Sequence, residues 1–188
     1  MRRSCIAFAT APMFLMGGAA LAADEEESGF YFGAGAGRTH LTGASGNIHA
    51  ERNSAAKVFL GYQFRPRVAL EVTHAWCGAV RTSSFSPAVP SETFHMRALT
   101  FQVVGTLLRV ENAALQARIG GLAWRAFPRP STVDNQGLGL AAGLNMKFDV
   151  GRNVAVRADF DVYRNTLENT DIRWGASVLS INMIGSFN

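Results

Sequence analysis

Apolar and polar residues alternate with a period of two along most of this chain. Across residues 137–148, Leu138, Leu140, Ala142, Leu144, Met146 and Phe148 fall on one face. Gly137, Gly139, Ala141, Gly143, Asn145 and Lys147 fall on the other. A helix would scatter these side chains around its circumference, whereas a strand sorts them completely. The same sorting recurs elsewhere. Ala56, Val58, Leu60, Tyr62 and Phe64 oppose Lys57, Phe59, Gly61 and Gln63. Val68, Leu70, Val72 and Trp76 oppose Ala69, Glu71, Thr73 and Ala75. Leu99, Phe101, Val103 and Leu107 oppose Ala98, Thr100, Gln102 and Thr106. Leu115, Ala117 and Ile119 oppose Gln116, Arg118 and Gly120. Val154, Val156, Phe160 and Val162 oppose Ala155, Arg157, Asp159 and Asp161. The first run sets Phe30, Phe32, Ala34 and Ala36 against Gly33, Gly35 and Gly37. The last sets Leu179, Ile181, Met183 and Phe187 against Ser180, Asn182 and Ser186. The pattern predicts eight strands, most of roughly 9–11 residues, the length that crosses a bilayer when tilted.

The connections alternate as well. Residues 65–67, 109–113 and 149–153 read as tight turns. Residues 42–54, 78–93 and 127–136 read as longer loops rich in Gly, Ser, Pro, Asn or Thr. Short turns at one end and long loops at the other mark an outer-membrane barrel with both termini on the periplasmic side. A soluble barrel of lipocalin type would place its large apolar side chains inside. Here the polar faces are the ones rich in Gly, Thr and charge. A sandwich that buried both faces would have to bury Glu71, Arg118, Arg157, Asp159 and Asp161, at high cost. The expected fold is all-β, an eight-stranded antiparallel up-and-down transmembrane β-barrel.

The first residues stand apart. Arg2 and Arg3 precede an uncharged, small and apolar stretch at residues 5–21. Ala20-Leu21-Ala22 then offers the small residues that signal peptidase reads, and Asp24-Glu25-Glu26-Glu27 follows. That order is a secretory signal peptide, too short and too broken by Pro12, Gly17 and Gly18 for a membrane span. The expected division is residues 1–22 as signal and residues 23–188 as the barrel. Losing Arg2 and Arg3 takes Lys+Arg from 18 to 16 against 14 acids, a net charge of about +2. The basic residues are scattered and no Lys/Arg run exists, so nucleic acid is not an expected partner. Cys5 leaves with the signal, so Cys77 stands alone and no intrachain disulfide is expected. No metal-type cysteine pair or phosphate-cradling Gly-Lys-Ser motif is present, and no cofactor or metal is expected.

Several motifs, taken in order, resemble the transmembrane domain of the OmpA family. Gly61-Tyr62-Gln63 with Pro66, Val68, Glu71, Trp76 and Gly78 looks like its second and third strands. Arg118-Ile119-Gly120-Gly121-Leu122-Ala123-Trp124-Arg125-Ala126 is similar to its fifth. Arg157-Ala158-Asp159-Phe160 resembles its seventh, and residues 179–187, with the terminal aromatic Phe187, resemble its closing strand. The likeness covers residues 30–187. It implies that Glu71 and Arg157 form the lumen pair that closes the barrel against ion flow. The family's alternative partners, a lysine on the fourth strand and an acid on the sixth, are not matched. Val104, Gly105, Thr106 and Leu107 stand near the first position and Asn145 or Lys147 near the second. No periplasmic peptidoglycan-binding domain follows the barrel, so anchoring to the cell wall by that route is not expected. One residue, Asn188, lies beyond the aromatic that assembly machinery reads.

The lumen faces hold Lys57, Arg118, Lys147 and Arg157 against Glu71, Asp159 and Asp161, four positive against three negative. In a narrow eight-stranded lumen such a set reads as a plug, with Glu71, Arg118, Arg157 and Asp159 as candidate ion-pair or gate residues. His40, His49 and His95 fall near the outer rim, and His74 on the lipid side beside Trp76. No His-x-x-x-His pair exists among them. An outer-membrane lipid-modifying enzyme needs a serine and a histidine oriented by an acid, but Ser177, Ser180 and Ser186 have no neighbouring histidine. No catalysis is therefore expected. Phe30, Phe32, Tyr62, Phe64, Trp76, Phe127, Phe148 and Phe187 lie toward strand ends as an interfacial belt. The expected protein is a small integral outer-membrane barrel with a mostly closed polar lumen. Its expected roles are membrane integrity, adhesion or a minor pore. Its expected partners are outer-membrane lipids and lipopolysaccharide, the barrel assembly machinery through Phe187, and host or surface ligands through the loops. A soluble periplasmic ligand barrel and a lipid-modifying enzyme are the alternatives.

The processing site is directly checkable. N-terminal sequencing of membrane-embedded protein should begin at Ala23 or Asp24; a sequence that begins at Met1 or Arg2 contradicts the assigned signal.

Overall fold

The computed structural model describes residues 28–43, 52–81, 93–129, 135–165 and 174–187. The signal segment and residues 44–51, 82–92, 130–134 and 166–173, with His49, lie outside these residues; the ends of the loops expected at 42–54, 78–93 and 127–136 are strand. Eight strands form one closed barrel in sequence order: β1 (Gly29–Gly43), β2 (Arg52–Arg65), β3 (Val68–Arg81), β4 (Thr93–Val110), β5 (Ala113–Arg129), β6 (Asn135–Asp149), β7 (Val154–Asn165) and β8 (Trp174–Phe187). Every neighbouring pair is antiparallel, and β1 closes the ring against β8 from Phe30↔Phe187 to Gly43↔Trp174.

The strands run from 12 residues in β7 to 18 in β4, longer than the alternation alone suggests. The excess lies mainly at the loop end, where β4 and β5 stay paired out to Thr93↔Arg129. Beyond the hydrocarbon nothing forces one face to be apolar, so the ladder continues while the pattern fades. The turns are as tight as expected. Pro66 and Arg67 join β2 to β3, and Glu111 and Asn112 join β4 to β5, with Glu111 at a left-handed φ of 46°. A register shift between Trp76 and Ala79 coincides with Gly78 at φ 78°.

The parity matches the sequence reading. Leu60, Phe101, Leu140, Leu144, Phe160, Ile181 and Met183 point outward and are exposed, as lipid-facing side chains must be in an isolated chain. The inward face holds three layers. Toward the loops, Ala75, Cys77, Met96, Leu122, Trp124, Tyr163 and Val178 belong to one buried apolar cluster. Toward the turns, Phe59, Ala155 and Ile184 form a second, packed against Tyr31. Between them lie the buried charges.

Leu144 and Phe160 are direct cross-strand partners near the middle of β6 and β7. Replacing either with Arg places a guanidinium in hydrocarbon and should lower stability in lipid by about 2–4 kcal/mol. Ala141→Ser, on the lumen side, should cost far less. Heat-modifiable gel mobility and urea titration in vesicles check this, and Arg variants as stable as the parent would mean that the parity is wrong.

Candidate functional site

Six ionisable side chains from four inward strand faces meet in the lumen. Lys57 comes from β2, Glu71 from β3, Arg118 from β5, and Arg157, Asp159 and Asp161 from β7. None is more than 3% exposed. β7 contributes three of them because alternate residues share one face, so an Arg-x-Asp-x-Asp run is a vertical stack of charges.

Glu71 is the most heavily engaged. Arg157 Nη1 donates to its Oε2 at 2.6 Å and Nη2 to its Oε1 at 3.1 Å, a two-pronged grip from across the barrel. Arg118 Nη1 donates to Oε1 at 3.0 Å. The hydroxyls of Thr73 and Tyr31 each donate at 3.1 Å, to Oε1 and Oε2 respectively. The carboxylate thus receives five donors. Arg157 is held in turn by the Phe59 ring, 4.0 Å from its guanidinium carbon.

The acids of β7 complete the network. Lys57 Nζ donates to Asp159 Oδ2 and, at 3.0 Å, to Asp161 Oδ2. Arg118 Nη2 pairs with Asp161 and lies 2.9 Å from Asp159 Oδ2, while Arg157 Nε lies 2.9 Å from Asp159 Oδ1. These guanidinium contacts to aspartate are ion pairs by distance without aligned hydrogen bonds. Every base in the cluster meets at least two acids, so the six act as one unit.

Two glycines make the reach possible. Gly61 on β2 is the cross-strand partner of both Tyr31 and Glu71, and a side chain there would collide with the Tyr31 ring. Its absence lets Tyr31 lie across β2 to the carboxylate. Gly143 on β6 likewise separates Arg118 from Asp161. A Cβ there would stand 2.6 Å from Asp161 Oδ1 and 3.0 Å from Arg118 Nε.

All four candidate residues named from the sequence, Glu71, Arg118, Arg157 and Asp159, fall in this cluster. Lys57 and Asp161 join them; the sequence reading counted both in the lumen set that reads as a plug, but not among the candidate pair or gate residues. Lys147 does not. It pairs with Asp149 at 3.0 Å, partly exposed near the turns. The buried unit therefore holds three bases and three acids and is neutral. Tyr31 and Phe59 were not singled out from the sequence as site residues; Phe59 was placed on the inward face of its strand, and Tyr31 follows by the alternation of Phe30 and Phe32. Gln102 is the residue that the fourth strand sets against Glu71. His74 packs edge-on against Trp76 with ring centroids 4.4 Å apart, and His40 and His95 are exposed near the loop end. No group of metal-ligating side chains occurs among the described residues.

The sequence pattern of the OmpA-like transmembrane domain matches residues 25–183. This chain belongs to that family. Among solved structures, Neisserial surface protein A superposes with a TM-score of 0.68 at 17% identity, covering 85% of this chain and 98% of that one. Ail of Yersinia pestis, in complex with the heparin analogue sucrose octasulfate, gives 0.55 at 14% identity, covering 84% and 99%. The N-terminal β-barrel domain of Pseudomonas aeruginosa OprF gives 0.57 at 11% identity, covering 86% and 100%. No curated protein matches the sequence. Family and fold together make the chain a small integral outer-membrane β-barrel.

The charge count makes a quantitative expectation. Glu71→Ala leaves the buried unit with one uncompensated positive charge, and breaking a buried pair in this way costs about 3–5 kcal/mol. Glu71→Ala with Arg157→Ala restores neutrality and should recover part of that loss. A double-mutant cycle measured by unfolding in lipid vesicles checks it; additive single effects would mean that the two residues do not act as a pair.

Proposed function

We propose that this protein is a closed, non-catalytic barrel that works through its outer surface rather than through its lumen. The observation that carries the reading is the neutral six-membered charge network. A water-filled pore at that depth would wet these side chains, yet they are almost wholly buried between two apolar layers. The buried titratable groups of that network are engaged with one another, which suits a plug better than a proton relay or a hydrolytic site. A signal peptide delivers the chain. Phe187 stacks on Phe32 at 5.3 Å beside the closing β1–β8 seam. It is exposed there for the barrel assembly machinery to read. Lipopolysaccharide surrounds the outer half, and surface or host ligands are met by the loops. The heparin analogue bound by Ail supports a role for this fold in holding surface ligands. Adhesion and membrane integrity follow, with conduction confined to rare rearrangements of the plug.

Planar-bilayer recording tests this. The parent should be almost silent, and Glu71→Ala should raise the frequency of ion leak. Lipid A taken from cells that overproduce the protein should keep its acylation by mass spectrometry. A parent that conducts continuously and is unchanged by Glu71→Ala, or lipid A with altered chains, would overturn the proposal.

A further inference from the structure

At the turn end, β1 enters the barrel between two exposed basic turns. On one side is the β2–β3 turn, with Arg65 and Arg67 around Pro66. On the other, beyond β8, is the β6–β7 turn with Arg152. Hydrogen bonds brace both. Asn153 Nδ2 donates to the Ser186 carbonyl at 3.0 Å, and the Ser186 N–H donates to the Asn153 carbonyl at 2.9 Å, which ties the second turn to the end of β8. Gln63 Nε2 donates to the Pro66 carbonyl at 3.2 Å in the first. None of the three arginines is paired with a described acid. Of the described acids at this end, Asp149 is held by Lys147, and Glu111 stands on the β4–β5 turn across the ring from β1.

The chain supplies four acids and no base just before β1. Asp24, Glu25, Glu26 and Glu27 lie outside the described residues, but the point at which they join the barrel is set. β1 pairs with β2 from Gly29↔Gln63 onward. Two further steps of that register bring Glu27 opposite Arg65, and opposed residues of an antiparallel pair share a face. Asp24 precedes Gly29 by five residues, a reach of up to about 18 Å. Arg67 lies on the turn that Arg65 opens, and Arg152 lies two strands from β1, about 10 Å along the rim. All three arginines are therefore within reach. An exposed ion pair is weak by itself, but a segment joined to the barrel at Gly29 meets its partners at high effective concentration.

Resting on signal cleavage and on the periplasmic placement of the turns, we propose that the acidic run at residues 24–27 docks on Arg65, Arg67 and Arg152 as an electrostatic clasp across the periplasmic rim. Glu27 pairs with Arg65, and the acids before it pair with Arg67 and Arg152. The clasp holds the entry of β1, the strand that closes the ring against β8 from Phe30↔Phe187 onward. It ties the first strand to the turns on both of its sides, at the end where the seam begins.

The test uses the processed barrel folded in neutral detergent, carrying Arg65→Lys and Arg67→Lys. These changes keep the charge and supply amines for a zero-length carbodiimide. Peptide mapping by mass spectrometry should find a cross-link within one chain from residues 24–27 to position 65 or 67. The link should be lost in about 1 M salt, where the screening length falls to about 3 Å. Amide exchange at residues 29–31 gives a second readout. It should quicken about two- to fivefold in Arg65→Gln with Arg67→Gln, and likewise in Glu25→Gln with Glu26→Gln and Glu27→Gln. Combining the two sets should add little, because each removes the same contact. Cross-links that join two chains would assign the rim to a second copy and overturn the proposal. The absence of any link from residues 24–27, or exchange effects that simply add, would overturn it too. Failure of the underlying reading is separable: N-terminal sequencing would then find residues 1–22 still attached, or the parent would lack heat-modifiable mobility.

Discussion

A backbone that crosses hydrocarbon must satisfy its N–H and C=O groups within the protein, and strands can do so only by closing into a ring. Here eight strands close, and the rest of the structure follows from how little space they enclose. An eight-stranded lumen is just wide enough for side chains to fill. Long inward side chains from opposite walls therefore meet rather than line a channel. Arg157 reaches Glu71 across the barrel for this reason, with both prongs of its guanidinium on one carboxylate. Placing charge there is costly unless each ion is paired, so the set that converges is neutral, and each member touches more than one partner.

Filling such a lumen also requires leaving room on particular strands. Tyr31, Gly61 and Glu71 form one row across β1, β2 and β3, and Arg118, Gly143 and Asp161 form another across β5, β6 and β7. In each row the middle strand carries glycine, and the two flanking side chains interact over it. A side chain at Gly61 would displace the Tyr31 ring from Glu71, and one at Gly143 would crowd Arg118 and Asp161. The inward glycines are therefore part of the electrostatics: they set which strands can pair across an intervening one.

The period of two made strand number, order of connections and facing legible in the sequence. Lipid enforces that period along every strand, so it survives without knowledge of any contact. Strand ends were less legible, since β4 and β5 keep their ladder past the point where lipid constrains their side chains. The charge cluster was legible in membership and less so in detail. Parity put Lys147 on the lumen face, but depth along the strand decides its fate: it lies two residues from Asp149 and beside the turn, and it pairs there. Lys57 and Asp161 differ from it by depth alone. Depth depends on strand tilt and on register shifts such as the one at Gly78, and neither is written in the alternation of a single strand.

The two faces of the wall have divided the work between them. Inward, charge of both signs is matched within the chain, and the core needs nothing from outside. Outward, the apolar band ends in aromatics at the turn rim, and Arg38, Arg97, Arg125 and Arg164 are exposed at the loop rim. For a barrel inserted with its long loops outward, the neighbouring phase at that rim is the anionic headgroup layer, while the aromatic rim faces the periplasmic side. The interior of that barrel is electrically complete, with three bases against three acids.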